Sequence, residues 1–174
     1  MRFEGIYTPL IAPFNSDFTL NSLAMASTTV LLVDTGVHGI IVAGTTGEYY
    51  AMSMKERVFL MNRVKELLND RLPMIVGTGA IRTEDSIEYA KQARIAGADA
   101  IMIATPPYAY PTGREIALHA LAIDREANLP VLLYNYPGRM SVNMDEETLD
   151  RLGRSKNFCA CLLYTSPSPR DCKT

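Results

Sequence analysis

The sequence predicts an α/β protein, a partial (β/α)8 TIM barrel that contains about the first five to six β/α units and lacks the last strands. Short apolar, β-rich runs alternate along the chain with segments of helical spacing, which is typical of parallel β/α units. The runs are apolar throughout, as expected for strands covered on both faces. The chain has 174 residues, whereas a complete barrel takes about 250.

Five runs are short enough to be strands and are rich in apolar and β-branched residues. Segments with helical spacing separate each run from the next. The predicted strands are Gly5 to Leu10, Gly39 to Ala43, Pro73 to Gly79, Ala100 to Ala104 and Pro130 to Tyr134.

The clearest helix is predicted from Ser53 to Asn69. Ser53 and Glu56 have the spacing of a capping box, in which the two side chains satisfy amide donors of the first turn. Apolar residues recur every three or four positions and predict one buried stripe. That stripe consists of Met54, Val58, Met61, Val64 and Leu68.

Other helices are predicted between the remaining strands. Gly36 and Gly97 stand where a helix C-cap favours a residue that tolerates positive φ. A shorter helix is predicted to begin near Asp145 and to end by Gly153. The longer ones run from about Leu20 to Asp34, from Thr83 to Ala96 and from Gly113 to Glu126.

A doubly wound sheet is the competing architecture for such alternation. A dinucleotide-binding sheet normally carries Gly-x-Gly-x-x-Gly at its first turn from strand to helix. Here the first turn, Pro9 to Phe14, reads PLIAPF. The sequence therefore favours the barrel and disfavours dinucleotide binding.

Composition narrows the classes of function. The chain is 48% hydrophobic and 21% charged, with 17 basic and 19 acidic residues and a net charge of −2, so a globular protein without a nucleic-acid partner is predicted. Apolar stretches such as Val30 to Val33 fall far short of the roughly 20 residues that span a membrane. The start of the chain lacks an apolar signal region, and a cytoplasmic location is expected.

Neither the cysteines nor the histidines predict a metal site. Cys159, Cys161 and Cys172 lie close together near the end of the sequence, in a spacing that fits neither a disulfide framework nor a zinc motif. His38 and His119 are far apart, without a partner at ligand spacing. All five are therefore interpreted as having no functional role.

Three segments follow predicted strands, where the reacting groups of a barrel collect. They are Gly44 to Glu48, Thr105 to Tyr108 and Tyr134 to Arg139. Taken singly, the first could be a plain turn, the second a rigid surface loop, and Arg139 an exposed charge. Their occurrence together, each at a strand end, favours a shared site.

The first and third segments also carry a resemblance to a known family. Gly44 to Glu48 (GTTGE) and Tyr134 to Pro137 (YNYP) are similar to signature segments of the dihydrodipicolinate synthase and N-acetylneuraminate lyase family. The likeness extends from about Gly5 to Ala160. It implies a Schiff base between pyruvate and a lysine on the sixth strand, with no metal or organic cofactor because the imine is the electron sink.

The resemblance further implies roles for matching residues. Tyr134 is expected to be the general acid and base, Thr45 to relay its proton, and Tyr108 to close the relay in a neighbouring subunit of a homotetramer. Thr46 is expected to hold the pyruvate carboxylate. Arg139 matches a position that binds a second carboxylate in the synthase branch, where bidentate pairing favours arginine.

The sequence differs from the family pattern at positions expected to contact the second substrate. Tyr136 replaces a smaller aliphatic residue, and Met140 with Ser141 replaces a Thr-Gly pair that is more usual in the synthases. These changes leave the second substrate open. They do not affect the residues expected to bind pyruvate.

The Schiff-base lysine is missing from its expected position. Leu162 stands there, and leucine cannot form an imine; Lys173 lies in a segment whose prolines disfavour strand pairing. Pattern and composition change after Ala160, so residues 1–160 are predicted to be a truncated barrel domain and residues 161–174 a non-native tail. The chain is predicted to be inactive and, with open strand edges, poorly soluble.

The function predicted for the full-length protein is therefore condensation of pyruvate with aspartate semialdehyde, as in 4-hydroxy-tetrahydrodipicolinate synthase. A 2-keto-3-deoxy sugar-acid aldolase or dehydratase, or an enzyme like N-acetylneuraminate lyase, is the alternative within the family. A non-catalytic small-molecule binder is the alternative from another class. In each case the partner is a small keto acid or aldehyde.

Overall fold

The computed structural model describes residues 3–163, and six parallel strands form its single sheet. The strands lie in chain order, each paired in parallel with the next. This is the partial (β/α)8 barrel that the sequence predicts. The strands are β1 (Tyr7–Pro9), β2 (Gly39–Val42), β3 (Met74–Gly77), β4 (Ala100–Ala104), β5 (Val131–Asn135) and β6 (Phe158–Leu163).

Helices connect the strands and cover the outside of the sheet. Short 3-10 turns occupy Thr45–Gly47 and Tyr49–Ala51 after β2. The α-helices are α1 (Ser22–Asp34), α2 (Met54–Leu68), α3 (Thr83–Ile95), α4 (Gly113–Ala127), α5 (Pro137–Met140) and α6 (Glu146–Leu152). No helix within residues 3–163 is long and apolar enough to cross a membrane.

The predicted helix signals are present in the structure. The Ser53 N–H donates to Glu56 Oε2 at 2.7 Å while the Glu56 N–H donates to Ser53 Oγ at 3.3 Å, which confirms the capping box. Gly36 and Gly97 have φ of 76° and 78° and follow α1 and α3, as predicted for residues that end helices.

The buried stripe of α2 differs from the prediction. Met54 and Val58 are only half-buried. The buried residues of the helix are Arg57, Leu60, Met61, Val64 and Leu68. A charged residue therefore occupies one end of the buried face. Hydrophobic spacing alone could not identify it, because the pattern counts only apolar positions.

Strand β6 was not among the five strands predicted from residue pattern, but the family resemblance implied a sixth strand in this segment. It runs from Phe158 to Leu163 and pairs with β5 along its length, so regular structure continues past Ala160, where the sequence suggested that the barrel domain ends. Residues 164–174, which include Cys172 and Lys173, lie outside the described residues.

Two apolar layers lie on the two faces of the sheet. Side chains of alternate strand residues pack outward against the helices, and the others point into the barrel. The outward layer includes Val42, Val76, Ile101 and Leu133, packed with residues of α2, α3 and α4. The inner layer consists of Ile41, Ile75, Ala100, Met102, Ala104, Leu132, Tyr134 and Met140.

Candidate functional site

The loop after β2 is a tight turn fixed by backbone packing. Ala43 adopts a φ of 53°, and the Gly47 N–H then donates to the Gly44 carbonyl at 3.1 Å. A Cβ on Gly47 would lie 2.8 Å from the Leu10 carbonyl oxygen, too close for any side chain. This contact orients the loop and places Thr45 and Thr46 at the carboxyl end of the sheet.

The two glycines of this loop have different roles. Glycines in such a turn often allow close approach of the backbone to a ligand. Gly47 instead makes room for the chain's own Leu10 carbonyl, and a Cβ on Gly44 would meet only ordinary contacts at 3.5 Å or more. Within this chain, neither glycine is explained by a ligand.

The structure brings Thr45, Thr46 and Tyr134 together around one small pocket. The pocket has a volume of about 40 Å³, which is room for roughly three water-sized spheres. Leu162 of β6 is part of its wall, with Pro9, Ile41, Gly44 and Met102. Larger grooves lie elsewhere on the surface, so size alone does not identify this site.

Tyr134 occupies the inner face of β5. Its side chain is 6% exposed, and register places it between Ala104 of β4 and Leu162 of β6. Its ring meets the Tyr136 ring edge-on at a centroid distance of 6.3 Å. The pairing with Leu162 puts an apolar side chain directly beside the predicted proton-transfer residue.

Tyr108 is not part of this pocket. It lies in the loop after β4 with a φ of 71°, and its side chain is 91% exposed. Tyr110 in the same loop also has a positive φ, 48°. The strand end is well anchored, since Thr105 is buried, but the tyrosines that follow are presented to the outside.

Arg139 lies at the same rim but outside the pocket wall. It belongs to the one-turn helix α5, and its guanidinium carbon is 5.4 Å from the centre of the Tyr136 ring. The following loop is fastened by Asn135, which donates to Asn143 Oδ1 at 2.8 Å and accepts from the Met144 N–H at 3.3 Å. Tyr136 therefore stands between Arg139 and the pocket.

A buried arginine that sequence reasoning missed supports the rim. Arg57 is 1% exposed and donates to the Gly77 and Gly79 carbonyls at 2.6 and 2.8 Å. Its guanidinium lies 3.3 Å from the Tyr89 ring centre and 5.3 Å from that of Tyr49. Burial lowers the pKa of Arg57 and raises the pKa of Tyr49. This cluster fixes the end of β3 beside the loop that carries Thr45.

The two histidines have structural partners. The His119 ring is buried with Nδ1 2.9 Å from the Thr83 hydroxyl, and burial lowers its pKa to about 4 despite an opposing hydrogen bond to the Ala104 backbone. His38 Nδ1 accepts the Ile6 N–H at 3.0 Å. Within residues 3–163, no cluster of three His, Cys, Asp or Glu side chains could hold a metal ion.

Comparisons with known proteins agree with this architecture. A model of the dihydrodipicolinate synthetase family matches residues 2–161. The 4-hydroxy-tetrahydrodipicolinate synthase of Bacillus subtilis is 38% identical over 152 residues, which are 87% of this chain and 52% of the relative. That of Bacillus velezensis is 37% identical over 160 residues, or 92% and 55% of the two chains.

Solved structures give the same picture. The dihydrodipicolinate synthase of Acinetobacter baumannii, crystallised with pyruvate, superposes with a TM-score of 0.87 at 32% identity over 90% of this chain and 54% of that one. The chain thus spans about half the length of the relatives that it matches.

Proposed function

The chain belongs to the dihydrodipicolinate synthetase family, and we propose that it forms the pyruvate-binding part of a Schiff-base lyase. The reaction proposed for the full-length protein is that of 4-hydroxy-tetrahydrodipicolinate synthase, which condenses pyruvate with aspartate semialdehyde. One observation carries this proposal: Thr45, Thr46, Tyr134 and Leu162, from three strand ends, line one pocket.

Tyr134 is the proposed general acid and base of this site. It points into the barrel beside β6, where a Schiff base on that strand would lie within its reach. A phenol transfers protons near neutral pH only when neighbouring hydroxyls support both of its forms. Thr45, on the same pocket wall, is the proposed relay residue.

The N–H groups of Thr45 and Thr46, with the Thr46 side chain, are proposed to bind the pyruvate carboxylate, because the Gly47 N–H already donates to the Gly44 carbonyl. A 3-10 turn offers several backbone donors in a small space, and Thr46 adds a hydroxyl. Arg139 is proposed to bind a carboxylate on the second substrate. Tyr136 lies between Arg139 and Tyr134. We propose that this side chain determines whether the site accepts a semialdehyde or a larger sugar acid.

Tyr108 is proposed to act in a neighbouring subunit. Its side chain lies outside this chain's own pocket and is almost fully exposed, at a backbone conformation that is unfavourable for tyrosine. An exposed aromatic residue in such a conformation fits a contact with another subunit. We propose a homotetramer for the full-length protein, as the family resemblance implies.

The chain as given is proposed to lack the covalent step. Leu162 lines the pocket next to Tyr134, and its side chain has no nucleophile. This observation favours a second candidate function, a non-covalent keto-acid binder.

Within residues 3–163, β1 and β6 are edge strands, so self-association of this polypeptide is expected.

Pyruvate binding to the chain tests the proposed pocket. Saturation-transfer NMR on the pyruvate methyl group should detect weak binding, and Thr46→Val should reduce the affinity about tenfold by removing a hydrogen bond to a charged group. Thr35→Val, at the exposed C-cap of α1, is the matched control and should bind like the unmodified chain. Equal affinities for all three proteins would show that pyruvate does not use this pocket.

A further inference from the structure

A groove runs along the outside of the described part of the chain, between α4 and α6. Its volume is about 540 Å³. The floor is apolar and includes Leu118, which is 55% exposed, with Ala117 and Leu121. Four arginines surround it: Arg114, Arg125, Arg151 and Arg154.

The groove is positively charged, in contrast to the chain as a whole. The whole chain carries a net charge of −2, yet the groove collects four cations. Arg151 pairs with Glu147 at 2.6 Å. Among the described residues, Arg114, Arg125 and Arg154 form no ion pair with an acidic side chain within 4.0 Å.

The acidic side chains beside the groove are already used in internal hydrogen bonds. Asp124 accepts from Ser155 Oγ at 2.7 Å and from Asn157 Nδ2 at 2.8 Å. Asp145 caps α6 by accepting the Thr148 N–H at 2.9 Å. Asp124 also lines the groove, and Asp145 lies near Arg151. The four arginines still outnumber these carboxylates, so the groove keeps an excess of positive charge for an external anion.

The spacing of the arginines indicates an extended ligand. Arg114 and Arg125 stand at opposite ends of α4, about 16 Å apart along the axis at 1.5 Å per residue. Ala117, Leu118 and Leu121 lie between them on the same face. A single small anion could reach only one end, whereas a chain with an apolar side and acidic flanks matches the whole length.

We propose that this groove docks an acidic amphipathic helix of a partner protein. A third helix lying between α4 and α6 would place leucine-type residues on Leu118 and Leu121. Its glutamates would then face the arginines of both walls. This is the helix-in-groove mode of recognition, and it is independent of the pyruvate pocket.

A designed peptide tests the proposal directly. The probe is a fluorescein-labelled helix of about three turns, with leucines at i, i+4 and i+7 and glutamates on both flanks, followed by fluorescence anisotropy. Arg114→Gln with Arg154→Gln should weaken binding about tenfold, since each exposed ion pair contributes a few-fold. Lys55→Gln with Arg82→Gln removes the same charge from exposed positions elsewhere and should leave affinity nearly unchanged.

Other outcomes identify a different occupant or none. A peptide with lysine in place of glutamate should not bind, and equal binding by it would overturn the proposal. Full displacement of the probe by octanoate would instead indicate a site for a small amphipathic anion. Leu118→Glu should abolish binding while circular dichroism shows an intact fold; unchanged affinity in that variant would place the peptide elsewhere.

Discussion

Two loops at the same rim of the half-barrel are built in opposite ways. The loop after β2 is locked by contact of Gly47 with the Leu10 carbonyl, and its threonines face the chain's own pocket. The loop after β4 contains two tyrosines at positive φ, Tyr108 and Tyr110, and both side chains are exposed. The first loop is shaped by the chain itself, whereas the second presents its aromatic groups to something outside it.

The two loops illustrate two kinds of functional residue at a barrel rim: those that bind substrate within the chain and those that contact another molecule. Residues that bind substrate within one chain need a fixed backbone, and close packing supplies it. Residues that serve a contact elsewhere can be exposed and strained until the partner is present. Substitutions in the two loops should therefore affect stability very differently.

The largest effect is expected from Gly47→Ala. The new methyl group would lie 2.8 Å from the Leu10 carbonyl oxygen, and relieving this clash should lower the free energy of unfolding by about 3 kcal/mol. Gly44→Ala, three residues away, is the matched control. Its Cβ would meet only atoms at 3.5 Å or more, so a cost under about 1 kcal/mol is expected in urea unfolding. Similar costs for both variants would contradict the account of this loop.

A smaller effect on stability is expected from a change in pH, through protonation of the buried His119 in α4. Burial lowers the pKa of His119 to about 4, below its value of 6.5 in the unfolded chain, so the unfolded state binds the extra proton between these values. Stability is therefore complete above about pH 6.5 and falls as pH decreases, by about 2 kcal/mol from pH 7 to pH 5.

His119→Asn tests the origin of this pH dependence. Asparagine can still bond to the Thr83 hydroxyl but does not titrate, so the slope of stability against pH should flatten between pH 7 and pH 5. Exposed carboxylates with lowered pKa, such as Glu56 and Glu115, act below this window. An unchanged slope in the variant would assign the effect to another group.

The smallest effect on stability is expected from Tyr108→Ala. The side chain is almost fully exposed in this chain, so the free energy of unfolding should change by less than about 0.5 kcal/mol. Urea unfolding at low protein concentration measures it. A loss above about 1 kcal/mol would mean that Tyr108 packs within its own chain, and the contrast between the two loops would fail.

Most of the fold could be predicted because its signals are local. Strand runs, the Ser53 capping box and the glycines after α1 and α3 follow from residue type and spacing. The meeting of Thr45 with Tyr134 was also predictable, since all parallel strands of a barrel end at one rim. Their roles in catalysis stay predictions.

Other features depend on contacts between distant parts of the chain. Arg57 is buried because Tyr49 and Tyr89 cover it from separate elements, and no pattern in α2 contains that information. Strand β6 was not among the runs identified from residue pattern, although Phe158 to Leu163 is apolar throughout. Only the family resemblance implied a sixth strand there. Its pairing with β5 determines its structure.

Restoring an amine at position 162 tests the central claim most directly. Leu162→Lys places a primary amine on the pocket wall beside Tyr134 and Thr45, and incubation with pyruvate and borohydride should then yield a covalent adduct on that lysine, identified by peptide mass mapping. Cys161→Lys, the preceding residue of β6, is the matched control and should not be trapped, because adjacent strand residues point to opposite faces. An adduct on neither variant, or equally on both, would contradict the proposal that this pocket holds a keto acid against the sixth strand.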